Sequence, residues 1–346
     1  MKVLHIIGGG ANGGAEKFFV RLVLALQKAG LQQAVITKPI PQWRDCFDKA
    51  TIPHYEASFP KWFAWKTKAT INKATKEFQP DIVLTWMSRA SDLCPKGDYV
   101  LVSRLGGYYK LKNYAKSDYL IGNTQDIVDY FHKNNWDKAK TCYLPNFVDL
   151  PGKSDPAKRE DLQTPNDVPL IFALGRLHPN KGFDVLIKAI TAVPKAHLWL
   201  AGEGPSEAEL RKLAENLGLS ERIHFLGWQK DPTPFFKAAD IFVCPSRHEP
   251  LGNVVLEGWV HDIPVVATAS EGPSILIKDN FNGLLTKLND EYDLSGAINK
   301  LISDTELRKV LRKNAIDTYE KNFSQSIVIK KYLEFFQKIL KNNENI

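Results

Sequence analysis

Two glutamates eight positions apart, Glu249 and Glu257, lie in the stretch Ser246-Arg247-His248-Glu249-Pro250-Leu251-Gly252-Asn253-Val254-Val255-Leu256-Glu257. An apolar run ending at Cys244 reads as a strand, and a helix is predicted to begin near Gly252 or Asn253. Glu249 then stands in the loop above the strand, and Glu257 lies one turn or more into the helix. A helix N-terminus offers backbone N–H groups to an anion, and carboxylates accept hydrogen bonds from hydroxyls. A nucleotide-sugar presents that mixture: a diphosphate flanked by ribose and sugar hydroxyls. The plainer alternative is a solvated loop acid and a helix-surface acid.

A second candidate opens the chain. Gly8, Gly10 and Gly13 satisfy G-x-G-x-x-G after an apolar run and before an amphipathic stretch. A nicotinamide site also needs an acid at the end of the second strand to bind ribose hydroxyls. Here that strand ends Thr37-Lys38-Pro39, so a nicotinamide cofactor is not expected. The glycines make either a tight strand-to-helix turn or, at Gly13-Gly14-Ala15-Glu16, a helix N-terminus whose N–H groups face a phosphate.

Further segments follow in order along nearly the whole chain: Asn123-Thr124; Leu144-Pro145-Asn146-Phe147-Val148-Asp149; Gly175-Arg176-Leu177 to Lys181-Gly182-Phe183-Asp184; Ala201-Gly202-Glu203-Gly204-Pro205; Phe225-Leu226-Gly227-Trp228; Pro264-Val265-Val266-Ala267-Thr268; and Asn282-Gly283-Leu284-Leu285. With Gly13-Gly14-Ala15-Glu16 and the Glu249 to Glu257 pair, this ordered set resembles retaining glycosyltransferases of GT-B fold, in particular glycosyltransferase family four (glycosyl transferases group 1). The resemblance implies a site residue by residue. Arg176 and Lys181, beside Gly175, would hold the donor diphosphate and neutralise charge as the nucleoside diphosphate leaves. Glu257 would bind the ribose and Glu249 the donor sugar's hydroxyls. Leu251, Gly252 and Asn253 would offer backbone N–H groups, and Gly14 would approach the same phosphate from the opposite domain. It also implies retention of anomeric configuration, without supplying a carboxylate nucleophile. Attack by the acceptor on the face the phosphate leaves is the favoured reading.

No D-x-D triplet is present to bind a divalent ion to a diphosphate. Two fixed cations and a helix N-terminus can supply that stabilisation, so no metal and no cofactor are expected. Arg176 and Lys181 could instead be surface charges, Asn146 a turn residue, and Glu203 a purely local contact. The sequence departs from the family at Gly258-Trp259-Val260-His261-Asp262, where Asp262 tolerates left-handed backbone, and at Glu271-Gly272-Pro273, where a Gly-Gly pair is usual.

The elements that must position these residues come in two series. Lys2 to Ile7, Val35 to Thr37, Ile82 to Thr85, Tyr99 to Ser103 and Tyr119 to Ile121 read as strands, with helical patterns between several of them. Residues 151–168 are rich in Pro and charge, as linkers are. The pattern restarts at Pro169 to Leu174 and continues through Ala196 to Ala201, Ile223 to Leu226, Ile241 to Cys244 and Pro264 to Ala267. Strands alternating with helices predict parallel doubly wound sheets. The expected fold is therefore α/β, GT-B: two Rossmann-like domains facing a central cleft. Residues 1–150 would bind acceptor and 151–324 donor. An amphipathic helix over about 325–346, carrying Ile327, Ile329, Tyr332, Leu333, Phe336 and Ile339, would cross back to the first domain.

In 346 residues, 44% hydrophobic and 25% charged composition fits a folded chain of two domains and excludes a disordered one. The net charge of +7 is uneven: residues 1–150 hold 21 basic against 13 acidic residues. That bias suits an anionic partner. Phe59-Pro60-Lys61-Trp62-Phe63-Ala64-Trp65-Lys66-Thr67-Lys68 interleaves aromatics with lysines, as membrane-interface segments do. Lys61, Trp62, Trp65 and Lys66 are therefore a candidate membrane or acceptor surface; the alternative is a helix whose aromatics enter the core. Ser103-Arg104-Leu105-Gly106-Gly107 should line the cleft. Arg104 stands near a position where relatives often carry His, and Asn123 joins it on the acceptor side. No nucleic-acid motif accompanies the charge.

Four cysteines far apart, without CxxC, suit a reducing compartment. No apolar run of spanning length and no signal peptide are read. The expected setting is cytoplasmic, peripheral on the inner face of the cytoplasmic membrane. The expected activity is transfer of a sugar from a UDP- or GDP-sugar to a glycan or lipid-linked acceptor, in lipopolysaccharide or other envelope glycan synthesis. The alternatives are a GT-B sugar-nucleotide epimerase and a binding protein that has lost transfer activity.

Overall fold

The computed structural model describes residues 1–10, 13–60 and 62–344. The chain divides into two compact units. The first comprises Met1–Phe147 with the C-terminal stretch from Phe323, and the second Val148–Asn322.

In the first unit β1 (Lys2–Ile7), α1 (Gly14–Lys28), β2 (Gln32–Thr37), α2 (Pro41–Lys49), β3 (His54–Glu56), α3 (Trp65–Phe78), β4 (Ile82–Trp86), α4 (Met87–Leu93), β5 (Val100–Leu105), β6 (Tyr119–Gly122), α5 (Gln125–Lys133) and β7 (Thr141–Tyr143) follow in chain order. The seven strands form one parallel sheet in the order β3-β2-β1-β4-β5-β6-β7. Alternation along β1 explains its place at the centre. Val3 and Ile7 join Phe18, Phe19, Leu22 and Leu26 of α1 on one face. Leu4 and Ile6 join Ile71 and Ala74 of α3 on the other. Each of the larger of these side chains contributes about 1.5–3 kcal/mol.

The second unit repeats the plan with β8 (Leu170–Leu174), α6 (Phe183–Ile190), β9 (His197–Ala201), α7 (Glu207–Asn216), β10 (Ile223–Gly227), α8 (Thr233–Ala238), β11 (Ile241–Cys244), α9 (Asn253–Val260), β12 (Val265–Thr268), α10 (Glu271–Leu276), β13 (Leu284–Thr286), α11 (Glu291–Ser303) and α12 (Thr305–Asn322). Its parallel sheet has the order β10-β9-β8-β11-β12-β13. Ile171 and Ala173 of β8 pack on α6. Phe172, facing the other way, meets Phe236 edge-on at 4.9 Å.

The last helix, α13 (Gln325–Glu344), belongs to the first unit. Val328, Ile329, Tyr332, Phe335, Phe336 and Ile339 are buried in the same cluster as α1. Val328 and Phe335 extend the apolar face beyond the residues the sequence singles out. Among the described residues no helix is long and apolar enough to cross a membrane.

The strands sit within two residues of the sequence reading at nearly every end. Three were not anticipated: β3, β7 and β13, each of three residues. Strands that short show too little alternation to register, and β3, β7 and β13 are edge strands stabilised by pairing on one side. In both sheets the strand order reverses direction between the first strand and the fourth. Loops at the carboxyl ends of strands flanking such a reversal diverge and leave room for a ligand.

Candidate functional site

The reversal in the second sheet lies between β8 and β11, which pair directly. The loop leaving β8 runs Gly175-Arg176-Leu177-His178 into a 3-10 turn over Pro179–Lys181 and then α6. The loop leaving β11 carries Glu249 and leads to α9. Backbone contacts join the two loops. Asn180 O accepts from Arg247 N at 2.8 Å and from His248 N at 3.1 Å. Gly182 has φ +63, and a Cβ there would collide with Pro245 O. Only glycine allows both that conformation and that approach. Arg247 completes the join: its Nη1 and Nη2 each donate to Asp184 at 2.7 Å, and Nη1 also donates to Pro179 O at 2.7 Å. Burial would raise the Asp184 pKa, but the hydrogen bond and charge of Arg247 hold it below the usual carboxylate range.

This frame sets Lys181 against Glu249. The ammonium donates to a Glu249 carboxylate oxygen, and Glu249 is only 8% exposed. Burial would favour the neutral amine; the Glu249 charge and its hydrogen bond outweigh burial and hold the lysine above its ordinary value. Lys181 is therefore a permanent cation at physiological pH rather than a base.

The backbone of Glu249 is held from α10. Its N–H donates to Glu271 Oε2 at 3.1 Å, and its carbonyl accepts from Gly272 N at 2.7 Å. The other Glu271 oxygen meets His248 Nδ1 at 2.7 Å. Burial would raise the Glu271 pKa, but hydrogen bonds from its own backbone, His248 and Glu249 hold it below the ordinary range. A Cβ on Gly272 would lie 2.5 Å from the carbonyl carbon of Leu251, so glycine is required there too. Gly252, at φ +68, starts α9, and no side chain caps that helix end. Val255 N donates to Gly252 O at 2.9 Å, and the positive end of the α9 dipole lies at this turn, where it favours an anion. Glu257 stands half-buried one turn further along.

Arg176 is exposed on the β8 loop, with no hydrogen bond or ion pair among the described residues. Gly175 N donates to Ala201 O at 3.0 Å, which ties this loop to the end of β9. A Cβ on Gly202 would collide with Gly175 O. Glu203 Oε1 accepts from Trp228 N at 3.3 Å, a local contact between the β9 and β10 loops. Cys244, at the end of β11, is pushed up to about 11 by burial and is not poised as a nucleophile. Among the described residues no group of three or more His, Cys, Asp and Glu is arranged to hold a metal ion.

Gly175, Arg176, Lys181, Glu249, Leu251, Gly252, Asn253 and Glu257 thus gather at the carboxyl ends of β8 and β11. The members of the frame that the sequence does not single out for a role are Asn180, Asp184, Arg247, His248 and Glu271. Arg247 and Asp184 lie 63 positions apart, so no local spacing reveals the pair.

The remaining candidates belong to the first unit. Gly14 is the first residue of α1 and is exposed. Glu16 folds back on the glycine loop, where a Cβ on Gly9 or Gly13 would strike its carboxylate. The amino end of α1 therefore already faces a negative charge. Arg104, expected to line the cleft on the acceptor side, is 3% exposed. Its Nε donates to Tyr332 Oη at 2.9 Å, another nitrogen donates to Asn146 Oδ1, and its guanidinium lies 4.6 Å and 4.7 Å from the ring centroids of Phe18 and Trp86. It fastens α13 to the sheet. An inward position on a central strand, flanked by aromatics, buries even an arginine once its donors are matched. Asn123 is also buried at the end of β6, and neither amide atom has a partner there.

Lys61 lies outside the described residues. Trp62, Phe63 and Trp65 are 73%, 88% and 64% exposed, so these aromatics do not enter the core. Lys66 Nζ lies 5.4 Å from the Trp65 ring centroid. The base of this segment is anchored: Phe59 is buried, its N–H donates to the buried Thr67 hydroxyl at 3.3 Å, and Arg89 donates to Pro60 O.

The family model described as glycosyl transferases group 1 matches residues 154–318. The chain is 36% identical over 340 residues to the lipopolysaccharide core biosynthesis glycosyltransferase LpsE of Rhizobium meliloti (strain 1021), covering 96% of this chain and 98% of the relative. It is also 36% identical to LpsD of the same strain, covering 98% of each. Among solved structures it is similar to Anabaena Alr3699/HepE in complex with UDP, with TM-score 0.86 and 22% identity over 98% of this chain and 100% of that one. The UDP-glucose complex of the same protein gives TM-score 0.84 at the same identity and coverage. At that identity the likeness establishes the fold, which is GT-B.

Proposed function

The chain belongs to the glycosyl transferases group 1 family and is a glycosyltransferase, and from that premise we propose that it moves a sugar from a UDP- or GDP-sugar to a glycan or lipid-linked acceptor in lipopolysaccharide or related envelope glycan synthesis. The second unit holds the donor and the first unit the acceptor. The reaction is metal-independent and retains configuration, in the manner of glycosyltransferase family four. The observation that carries this reading is the Lys181–Glu249 pair beside the uncapped amino end of α9, at the strand reversal of the second sheet.

In this mechanism the donor diphosphate lies against Arg176, Lys181 and the first N–H groups of α9. The acceptor hydroxyl attacks the anomeric carbon on the side from which the nucleoside diphosphate leaves. The carbon–oxygen bond to phosphate breaks, and the hydroxyl proton passes to the departing phosphate oxygen. Negative charge grows on that oxygen, and fixed cations aimed at growing charge lower the barrier. Lys181 has three donors, so it can hold Glu249 and a phosphate oxygen together. Glu249 accepts from hydroxyls of the transferred sugar and Glu257 from the ribose. Neutralised by Lys181, Glu249 makes a poor nucleophile, which supports attack from the front face.

The relatives LpsE and LpsD, whose names place them in lipopolysaccharide core synthesis, support an envelope glycan as acceptor. The UDP and UDP-glucose bound by HepE support a nucleotide-sugar donor. The exposed Trp62, Phe63 and Trp65 with Lys66 support a peripheral position on the anionic inner face of the cytoplasmic membrane, where a lipid-linked acceptor would be met. Asn123, whose buried amide has no partner, is the first unit's candidate for an acceptor hydroxyl once binding opens a path to it.

Acceptor-dependent release of UDP or GDP from matched nucleotide-sugars, measured with a coupled assay, tests the reading. Release without any acceptor would favour an epimerase. Binding with no release in the presence of lipopolysaccharide core acceptors would favour a protein that has lost transfer.

A further inference from the structure

We propose that the transferred sugar is uncharged and that Glu271 enforces this, excluding donors whose sugar bears a carboxylate; the inference rests on the placement of Glu249 beside the donor sugar. Glu271 Oε2 accepts the backbone N–H of Glu249 at 3.1 Å, so its carboxylate lies against the residue that carries the Glu249 carboxylate. Two acids therefore border one turn. The turn cannot swing Glu271 away freely. Gly272 N is bonded to Glu249 O at 2.7 Å, and the Gly272 backbone is pressed against Leu251.

The cations nearby are already matched. Lys181 is engaged by Glu249. Arg247 is held by both oxygens of Asp184 and by Pro179 O. His248, which is not counted among the cations, meets Glu271 at 2.7 Å. On these two loops, among the described residues, Arg176 alone among the arginines and lysines makes no hydrogen bond or ion pair. The diphosphate common to all these donors draws on Arg176. A sugar carboxylate would then add a negative charge beside Glu271 and the Lys181-matched Glu249, and among the described residues these two loops hold no further unmatched arginine or lysine to offset it. Like charges brought close in a partly dry site repel strongly enough for a discrimination of at least about tenfold. A neutral sugar has no such penalty, because its hydroxyls donate to the same carboxylates.

The test is calorimetric titration of the full chain with matched pairs: UDP-glucose and UDP-glucuronate, UDP-galactose and UDP-galacturonate, GDP-mannose and GDP-mannuronate. For the pair whose base is accepted, the neutral member is expected to bind at least about tenfold more tightly than the uronate. In Glu271→Gln, whose amide oxygen can still accept the Glu249 N–H, that ratio is expected to narrow about tenfold or more. The wild-type comparison stands even if the variant folds poorly. Equal or tighter binding of the uronate by the wild type, or an unchanged ratio in Glu271→Gln, would overturn the proposal while leaving the donor site intact. Failure of UDP, GDP and every pair to bind would instead overturn the donor-site reading, and this proposal with it.

Discussion

Replacing Lys181 by alanine removes one charge from a partly buried pair and leaves the other behind. Glu249 is 8% exposed and would lose the only cation bonded to it among the described residues. Stranding one partner of a fully buried pair costs about 3–5 kcal/mol. Lys181 is only partly buried, so about 2–3 kcal/mol is expected here, and a unit of this size loses about 2–4 °C per kcal/mol. A melting midpoint lower by about 5–10 °C follows from these figures. Activity should fall much further. If the ammonium meets charge growing on the departing diphosphate, its loss should cost about 10²–10³ in turnover, as for other fixed donors aimed at a transition state. The double variant Lys181→Met/Glu249→Gln separates the two effects. With no charge stranded it should regain most of the midpoint, while turnover stays low. The assays are differential scanning fluorimetry and acceptor-dependent nucleoside diphosphate release on the same preparations. Turnover near wild type in a folded Lys181→Ala protein, or recovered activity in the double variant, would refute the reasoning.

Gly182→Ala forces a Cβ into Pro245 O at φ +63; it should destabilise the second unit by at least about 1–2 kcal/mol and raise the donor Kd by parting the two loops, read by thermal melting and calorimetry. Asp184→Asn removes the charge that holds Arg247 and should raise KM for the donor more than it lowers kcat, which steady-state kinetics would show. Trp62→Ala/Trp65→Ala should reduce sedimentation with phosphatidylglycerol vesicles and leave transfer to a soluble acceptor intact; undiminished vesicle binding would remove the membrane role from this segment. His5, on β1, is pushed down to about 3 by burial, so between about pH 6.5 and 3 the unfolded chain binds a proton that the folded chain does not. Stability should therefore fall as pH drops below 6.5, by up to about 1.4 kcal/mol per pH unit, and His5→Leu should flatten that dependence in melts recorded from pH 4 to 7.

Legibility followed the range of the forces involved. Alternation and helical spacing are local, so the central strands and the apolar face of α13 could be read from neighbouring residues. The start of α9 was visible for the same reason, since Gly252-Asn253 ends one element and opens another. Asp262, read as tolerant of left-handed backbone, has φ +54. What escaped was set by partners far along the chain. The Arg247–Asp184 pair and the Glu271 bond to Glu249 depend on which strands become neighbours, not on spacing. The burial of Arg104 was hidden for a related reason. The aromatic floor of Phe18 and Trp86 and the hydroxyl of Tyr332 that enclose it come from three separate elements. Exposure of Trp62, Phe63 and Trp65 could not be read either, because the same letters fit a buried helix face.

A crystal structure of the protein with a bound nucleoside diphosphate tests the central claim most directly. The diphosphate is expected within hydrogen-bonding reach of the Arg176 guanidinium, the Lys181 ammonium and the amino end of α9. A diphosphate seated at the glycine loop after β1 with the β8 and β11 loops untouched would contradict it.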